Sequence, residues 1–189
     1  MKKNCEALII GGSAGSLDVL LKTLPKLHSV LSFPIILVLH RKPGQDSLLT
    51  ELLKSRTKLQ VKEAEEKEKI LPSTIYIAPP NYHLLIEKDR TFSLDASEKV
   101  NFSRPAIDVT LENAADVYGE NLVALLLSGS NTDGTVGLKT VKEHGGTILV
   151  QHPESATSPF MPENAARNSE PDAILQIEEM PNYINQLSE

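Results

Sequence analysis

Three short stretches each carry a side chain suited to acyl-transfer chemistry to the end of an apolar run. "ALIIGGSAGS" breaks into glycines around Ser13, "LVLH" stops at His40, and "LLLSGSNTDG" runs into Asp133. Gly11-Gly12-Ser13-Ala14-Gly15 fits G-x-S-x-G, the strand-to-helix turn that holds a serine exposed above a sheet. Glycines suit it because the turn is sharp and the following helix starts close by. A serine hydroxyl is a weak nucleophile until a base lies within hydrogen-bond reach. The base in turn needs an acceptor that fixes its tautomer and stabilises the imidazolium. Ser13, His40 and Asp133 supply one group of each kind.

Each residue also has a plainer reading. Ser13 in a glycine-rich turn can cap the next helix or contact a phosphate. No Lys-Ser or Lys-Thr follows the glycines, the spacing is not G-x-G-x-x-G, and the second apolar run ends in His40 rather than a ribose-binding acid, all of which count against a phosphate loop. His40 can be a satisfied structural histidine, and Asp133 can cap the helix that follows "NTDG". The order Ser, His, Asp also differs from the Ser, Asp, His order of α/β-hydrolases. A second histidine, His152 after "TILVQ", competes for the role of base. His28, His83 and His144 fall at a helix end, in a hairpin and at a helix terminus, where solvation or capping accounts for them.

The elements that must position these groups follow from hydrophobic patterning. Apolar runs at 7–10, 34–39, 74–78, 122–127, 147–150 and 173–177 are too short and too uniformly apolar for amphipathic helices and read as buried strands. Helical patterns lie between several of them. "SLDVLLKTLPKL" has Ser16 as a candidate N-cap and Leu17, Leu20, Leu21 and Leu24 on one face. "DSLLTELLKS" has Asp46 as cap, "RPAIDVTLENAADVYGE" has Pro105 near its first turn and stops around Gly119, and "DGTVGLKTVKEHGG" ends at a glycine pair. The alternation predicts an α/β fold: a doubly wound, mainly parallel sheet with helices on both faces. "HLLIEKDRTFSLD" predicts an antiparallel hairpin added to that sheet, and "KEAEEKEK" a solvated connection. Ligands of such sheets gather beyond the carboxyl ends of the strands, where Ser13, His40 and Asp133 all fall.

Composition narrows the function classes. The chain has 189 residues, 40% hydrophobic and 23% charged, which suits one globular domain over residues 1–189. A net charge of -6 with scattered lysines gives no footprint for nucleic acid. The single cysteine, Cys5, allows neither an intrachain disulfide nor a cysteine-based zinc site, and Lys2 and Lys3 precede no signal-peptide core. No apolar stretch approaches the ~20 residues needed to cross a bilayer. These features point to the cytoplasm, with no direct membrane insertion, no metal and no organic cofactor.

Five stretches in order resemble the catalytic domain of the chemotaxis protein-glutamate methylesterases, the CheB type. "IGGSAGS" is similar to that family's I-G-A-S-[TA]-G-G turn and "VLHRKPG" to its V-Q-H-M-P segment. "VKEAEEKEKILPSTIYIAPPNYHLLIE" follows V-K-E-A, L-P, Y-I-A-P and H. "SRPAIDVTLENAA" and "LLLSGSNTDGTVGLK" resemble R-P-S-[VI]-D and L-T-G-M-G-x-D-G-A-x-G. The resemblance implies hydrolysis of glutamyl γ-methyl esters on methyl-accepting chemotaxis receptors, with deamidation of certain glutamines as a related activity. It puts the nucleophile on Ser13, the base on His40 and the orienting acid on Asp133. Backbone N–H groups of Ser130 and Ala14 would form the oxyanion hole, and Arg41 and Arg104 are cationic candidates for substrate contact. Two positions depart from the pattern: Ser130-Asn131 replaces Met-Gly, and Arg41-Lys42 replaces Met-Pro, adding positive charge at the entrance that would steer acidic partners. The chain begins almost directly at the first strand, so no receiver domain is expected and a separate regulator would take its place. A non-catalytic binding module on the same fold, and a serine hydrolase of other esters or amides, stand as alternatives.

Overall fold

The computed structural model describes residues 4–41 and 46–189. The apolar runs form the strands β1 (Ala7–Gly12), β2 (Ile35–Leu39), β4 (Thr74–Ile77), β7 (Leu122–Leu126), β8 (Thr147–Gln151) and β9 (Ala173–Leu175). Together with β3 (Gln60–Glu63) they make a seven-stranded sheet of order β3-β4-β2-β1-β7-β8-β9. Every pairing in it is parallel. Parallel sheets are covered on both faces, which is why β1, β2, β4 and β7 are buried along their whole length.

Side chains alternate across the strands and divide the interior in two. Leu8, Ile10, Leu37 and Leu125 face one cluster, closed by α1 (Ser16–Thr23), α2 (Asp46–Lys54) and α6 (Met180–Gln186). Ala7, Ile9, Val38 and Ala124 face the other, closed by α3 (Ile107–Tyr118), α4 (Thr135–Glu143) and α5 (Phe160–Asn168). The chain winds outward from β1 through β2 and later outward again from β7 on the other side. The reversal lies between β1 and β7, whose carboxyl ends carry Ser13 and the Asp133 loop. A crevice at such a switch point is where this class of sheet binds ligands.

Several expectations need correcting. The hairpin of β5 (His83–Ile86) and β6 (Phe92–Asp95) is antiparallel but forms its own two-stranded sheet, packing through Leu84, Ile86 and Phe92 onto the second cluster instead of extending the large sheet. Lys62 and Glu63, assigned to a solvated connection, are the end of β3. This edge strand has one neighbour and a half-exposed face, so its charges ion-pair at the surface while Val61 enters the core. Ser16 is the first residue of α1 and not its cap: Gly15 occupies the cap position. Pro105 precedes α3 by two residues, with Ala106 as cap. The Asp46 side chain, expected as a cap, and Lys42 lie outside the described residues. Among the described residues no helix is long and apolar enough to cross a membrane.

Candidate active site

Ser13 leaves β1 at the carboxyl edge with its N–H donating to Ser128 O at 2.9 Å and its carbonyl accepting from Ser16 N at 3.1 Å and Ser16 Oγ at 2.6 Å. Ser16 thus tightens the turn from inside the helix. Gly15 sits at φ 83°, left-handed backbone that glycine adopts without a Cβ penalty. A Cβ there would also lie 2.7 Å from Ser128 Oγ and from Thr157 Cβ. The β7 loop closes over the turn: Ser128 Oγ donates to Ala14 O at 2.7 Å and accepts from Ser158 N at 2.9 Å, and Ser128 N is held by Gln151 Oε1 at 2.8 Å. Gly129 lets this loop approach, since a Cβ would lie 2.5 Å from Met161 Cε and 3.1 Å from Ser13 Cβ.

His40 follows β2, the neighbour of β1, and its N–H donates to Gly12 O at 3.1 Å. Its Nε2 lies 2.6 Å from Asp133 Oδ2. The histidine is 11% exposed and the aspartate fully buried. With Nε2 committed to the acid, Nδ1 is the nitrogen available to a serine. Ser13 and His40 line one cavity of about 580 Å³, walled by Leu17, Leu39, Leu49 and Leu52. Among the described residues Ser13 Oγ makes no hydrogen bond, and the N–H groups of Ala14 and Ser130 have no acceptor.

Asp133 does not cap the helix that follows it. Its Oδ2 accepts from Ile107 N at 2.7 Å and its Oδ1 from Asp108 N at 2.9 Å, so it caps α3. Asp108 in turn accepts from Gly134 N at 2.9 Å and Gly137 N at 2.7 Å, capping α4. Each carboxylate therefore sits at the positive end of the other's helix. Burial would raise the Asp133 carboxyl, but the hydrogen bonds from His40, the two backbone N–H groups and Asn101 outweigh it and hold it below the ordinary 3.8. It is therefore ionised at neutral pH. Among the described residues Asp108 has no such imidazole partner. Burial, joined by the charge of Asp133, overcomes its own hydrogen bonds and pushes it up to about 6.

The remaining expected residues fall at the same edge. Arg41 lines both the large cavity and a smaller one of about 100 Å³ that His40 also borders. Its Nη2 is 3.7 Å from Glu63 Oε2. Arg104 lines the smaller cavity, but its Nη1 donates to the carbonyls of Ala96 and Ser97 at 2.8 and 2.6 Å, so much of its guanidinium is spent on its own loop. His152 stands apart from His40: its Nδ1 accepts from Glu154 N at 3.3 Å and starts a short turn. His83, for which solvation or capping is the expectation, is not solvated: it is 1% exposed and bonded through Nε2 to Glu98 O and through Nδ1 to Ala106 N at the start of α3. Asn101, Asp108 and Ser128 escaped the sequence reading. Asp108 closes the "RPAID" stretch that carried part of the resemblance, which was a signal; Asn101 and Ser128 had none.

Comparison with known proteins identifies the family. The family model described as CheB methylesterase matches residues 8–184. A protein of Leptospira interrogans is 44% identical over 177 residues, 94% of this chain and 92% of that one. The Thermotoga maritima protein-glutamate methylesterase/protein-glutamine glutaminase is 36% identical over 186 residues, which cover 95% of this chain and 53% of that protein. The crystal structure of the Thermotoga maritima CheB methylesterase catalytic domain superposes with a TM-score of 0.93 at 34% identity, covering 97% of this chain and 99% of that one. The chain belongs to the CheB methylesterase family.

Proposed function

We propose that the protein is a serine hydrolase that removes methyl esters from glutamate side chains of methylated chemotaxis receptors in the cytoplasm, with glutamine deamidation as a related reaction at the same site. The observation that carries the reading is the 2.6 Å contact of His40 Nε2 with the buried Asp133, which leaves Nδ1 as the ring nitrogen open to the uncommitted Ser13 hydroxyl that lines the same cavity.

Ser13 Oγ attacks the ester carbonyl as His40 Nδ1 takes its proton. Asp133 holds the ring and stabilises the imidazolium without becoming protonated. The carbonyl oxygen becomes an oxyanion, met by the unpaired N–H groups of Ala14 and Ser130, where one such donor is typically worth ~10²–10³ in rate. A backbone donor tolerates serine in place of the family's methionine. The intermediate collapses, the C–O bond to methoxide breaks, and His40 returns its proton so that methanol leaves. Water then loses a proton to His40, attacks the acyl-serine, and frees the glutamate carboxylate and Ser13. Arg41, which borders both cavities beside His40, contacts the protein substrate.

The test is methanol release from a methylated receptor. The wild-type protein should release it and a folded Ser13→Ala variant should not rise above the ~10³–10⁴ over water that a site lacking one triad member retains. Equal rates in the two would overturn the proposal.

A further inference from the structure

The acid of the site is itself held from behind. Asn101 Nδ2 donates to Asp133 Oδ1 at 2.9 Å and to Asp108 Oδ2 at 2.8 Å, so one amide spans both carboxylates. The four donors on Asp133 are then His40 Nε2 and Ile107 N on one oxygen, and Asp108 N and Asn101 Nδ2 on the other. The titratable groups around it are His40 directly and Asp108 through Asn101; its other partners are backbone N–H groups at the start of α3. Among the described residues Asn101 is the one side chain that hydrogen-bonds both carboxylates, and its amide lies between the two like charges. Without it, the two acids would face each other in a low-dielectric interior, where repulsion is strong.

The loop that delivers Asn101 is shaped for that purpose. Val100 and Ser103 exchange N–H···O bonds at 3.1 and 2.9 Å, closing a two-residue turn. Asn101 and Phe102 both have positive φ, 51° and 63°. Asparagine tolerates the left-handed region far better than phenylalanine, so the turn holds Phe102 in an unfavourable conformation, and the residue is 98% exposed. Strain of this kind persists where surrounding contacts over-determine it, and the bonds from Asn101 to two buried acids are such contacts.

We infer that Asn101 is a positioning residue for the reaction: by clamping Asp133 to Asp108 it fixes the Asp133 carboxylate on His40 Nε2 and so presents Nδ1 to Ser13. The inference rests on the hydrolase reading of Ser13, His40 and Asp133. Two variants that suit the left-handed backbone test it. Asn101→Gly deletes the amide, and Asn101→Asp replaces the donor with a third carboxylate. Expected are a fall in kcat of about tenfold to a hundredfold for Asn101→Gly, matching the loss of one hydrogen bond to a charged group, a larger fall for Asn101→Asp, and KM within twofold in both. The acidic limb of the pH–rate profile should move to higher pH in the same order, because a less stabilised or more crowded carboxylate favours the imidazolium. A merely structural loop would lower thermal stability without moving that limb.

A second readout does not need turnover. The His40 Nε2 proton should resonate far downfield in proton NMR spectra of the wild type and should exchange faster with solvent in Asn101→Gly. If the wild type releases no methanol, the hydrolase reading fails and this signal alone decides the role of Asn101. An unchanged Nε2 proton, or kcat and acidic limb both unchanged in Asn101→Gly, would overturn the inference.

Discussion

Replacing Asp133 by asparagine is the sharpest perturbation of the site, because every partner of the carboxylate is a donor. His40 Nε2 and Ile107 N point at Oδ2, and Asp108 N and Asn101 Nδ2 point at Oδ1. An asparagine offers one acceptor oxygen and one NH2 group, so either orientation sets two donors against its amide. If the NH2 faces His40, the imidazole must accept at Nε2 and carry its proton on Nδ1, which removes the base from Ser13. If it faces Asn101, the Asp108 N–H is left buried and unpaired. An unsatisfied buried donor costs ~1–3 kcal/mol, so stability falls either way. The wrong tautomer is expected to lower kcat by up to ~10⁴, equivalent to ~5 kcal/mol of barrier at 1.36 kcal/mol per decade. Methanol release at saturating methylated receptor gives kcat, and its concentration dependence gives KM. A rise in KM with kcat unchanged would assign Asp133 to ground-state binding and refute the reasoning.

Three further outcomes follow from the same geometry. His40→Gln should remove activity nearly as fully as Ser13→Ala, with the double variant scarcely worse, whereas His152→Gln should keep most of kcat; initial rates on one substrate preparation distinguish these, and an essential His152 would transfer the base to the end of β8. Gly129→Ala should impair kcat strongly, because its methyl would lie 2.5 Å from Met161 Cε and 3.1 Å from Ser13 Cβ, and adding Met161→Ala should restore part of the rate; no recovery in the double variant would mean that Ser13, not Met161, is the neighbour that cannot yield. Denaturant midpoints against pH should show two opposed effects. Asp108, pushed up to about 6 from 3.8, contributes stability below pH 4 that is lost as pH rises to 6, about 3 kcal/mol at most, while Asp133, held below 3.8, contributes stability at higher pH that is lost below pH 4. Asp108→Asn should abolish the first effect and keep the second.

Much of the fold was legible because the central strands are buried on both faces, and a uniform apolar run such as "IILVL" admits few other readings. The edge strand β3 was not, since Gln60, Lys62 and Glu63 read as surface and only its pairing with β4 makes it a strand. Helices α5 and α6 lack a strong stripe of leucines and carry prolines in their first turn, so they were passed over. The hairpin was recognised but its attachment was not, because the choice between sheet edge and helical layer is made by long-range packing of Leu84 and Phe92. At the site, Ser13, His40 and Asp133 could be named from strand ends. What Asp133 does for α3, and what Asn101 does for Asp133, depends on contacts across 26 and 32 residues of chain, which no local pattern encodes. The same holds for His83, whose burial comes from the 98–106 segment folding over it.

The central claim is that Ser13 is a nucleophile activated by His40. The measurement that tests it most directly is reaction of the folded protein with a fluorophosphonate, followed by peptide mass spectrometry to locate the adduct. The account predicts one adduct per chain, on Ser13 and not on the neighbouring Ser16, Ser128 or Ser130, and its loss in a folded His40→Gln variant. Failure of the folded wild-type protein to react, or an adduct on another serine that persists without His40, would contradict it.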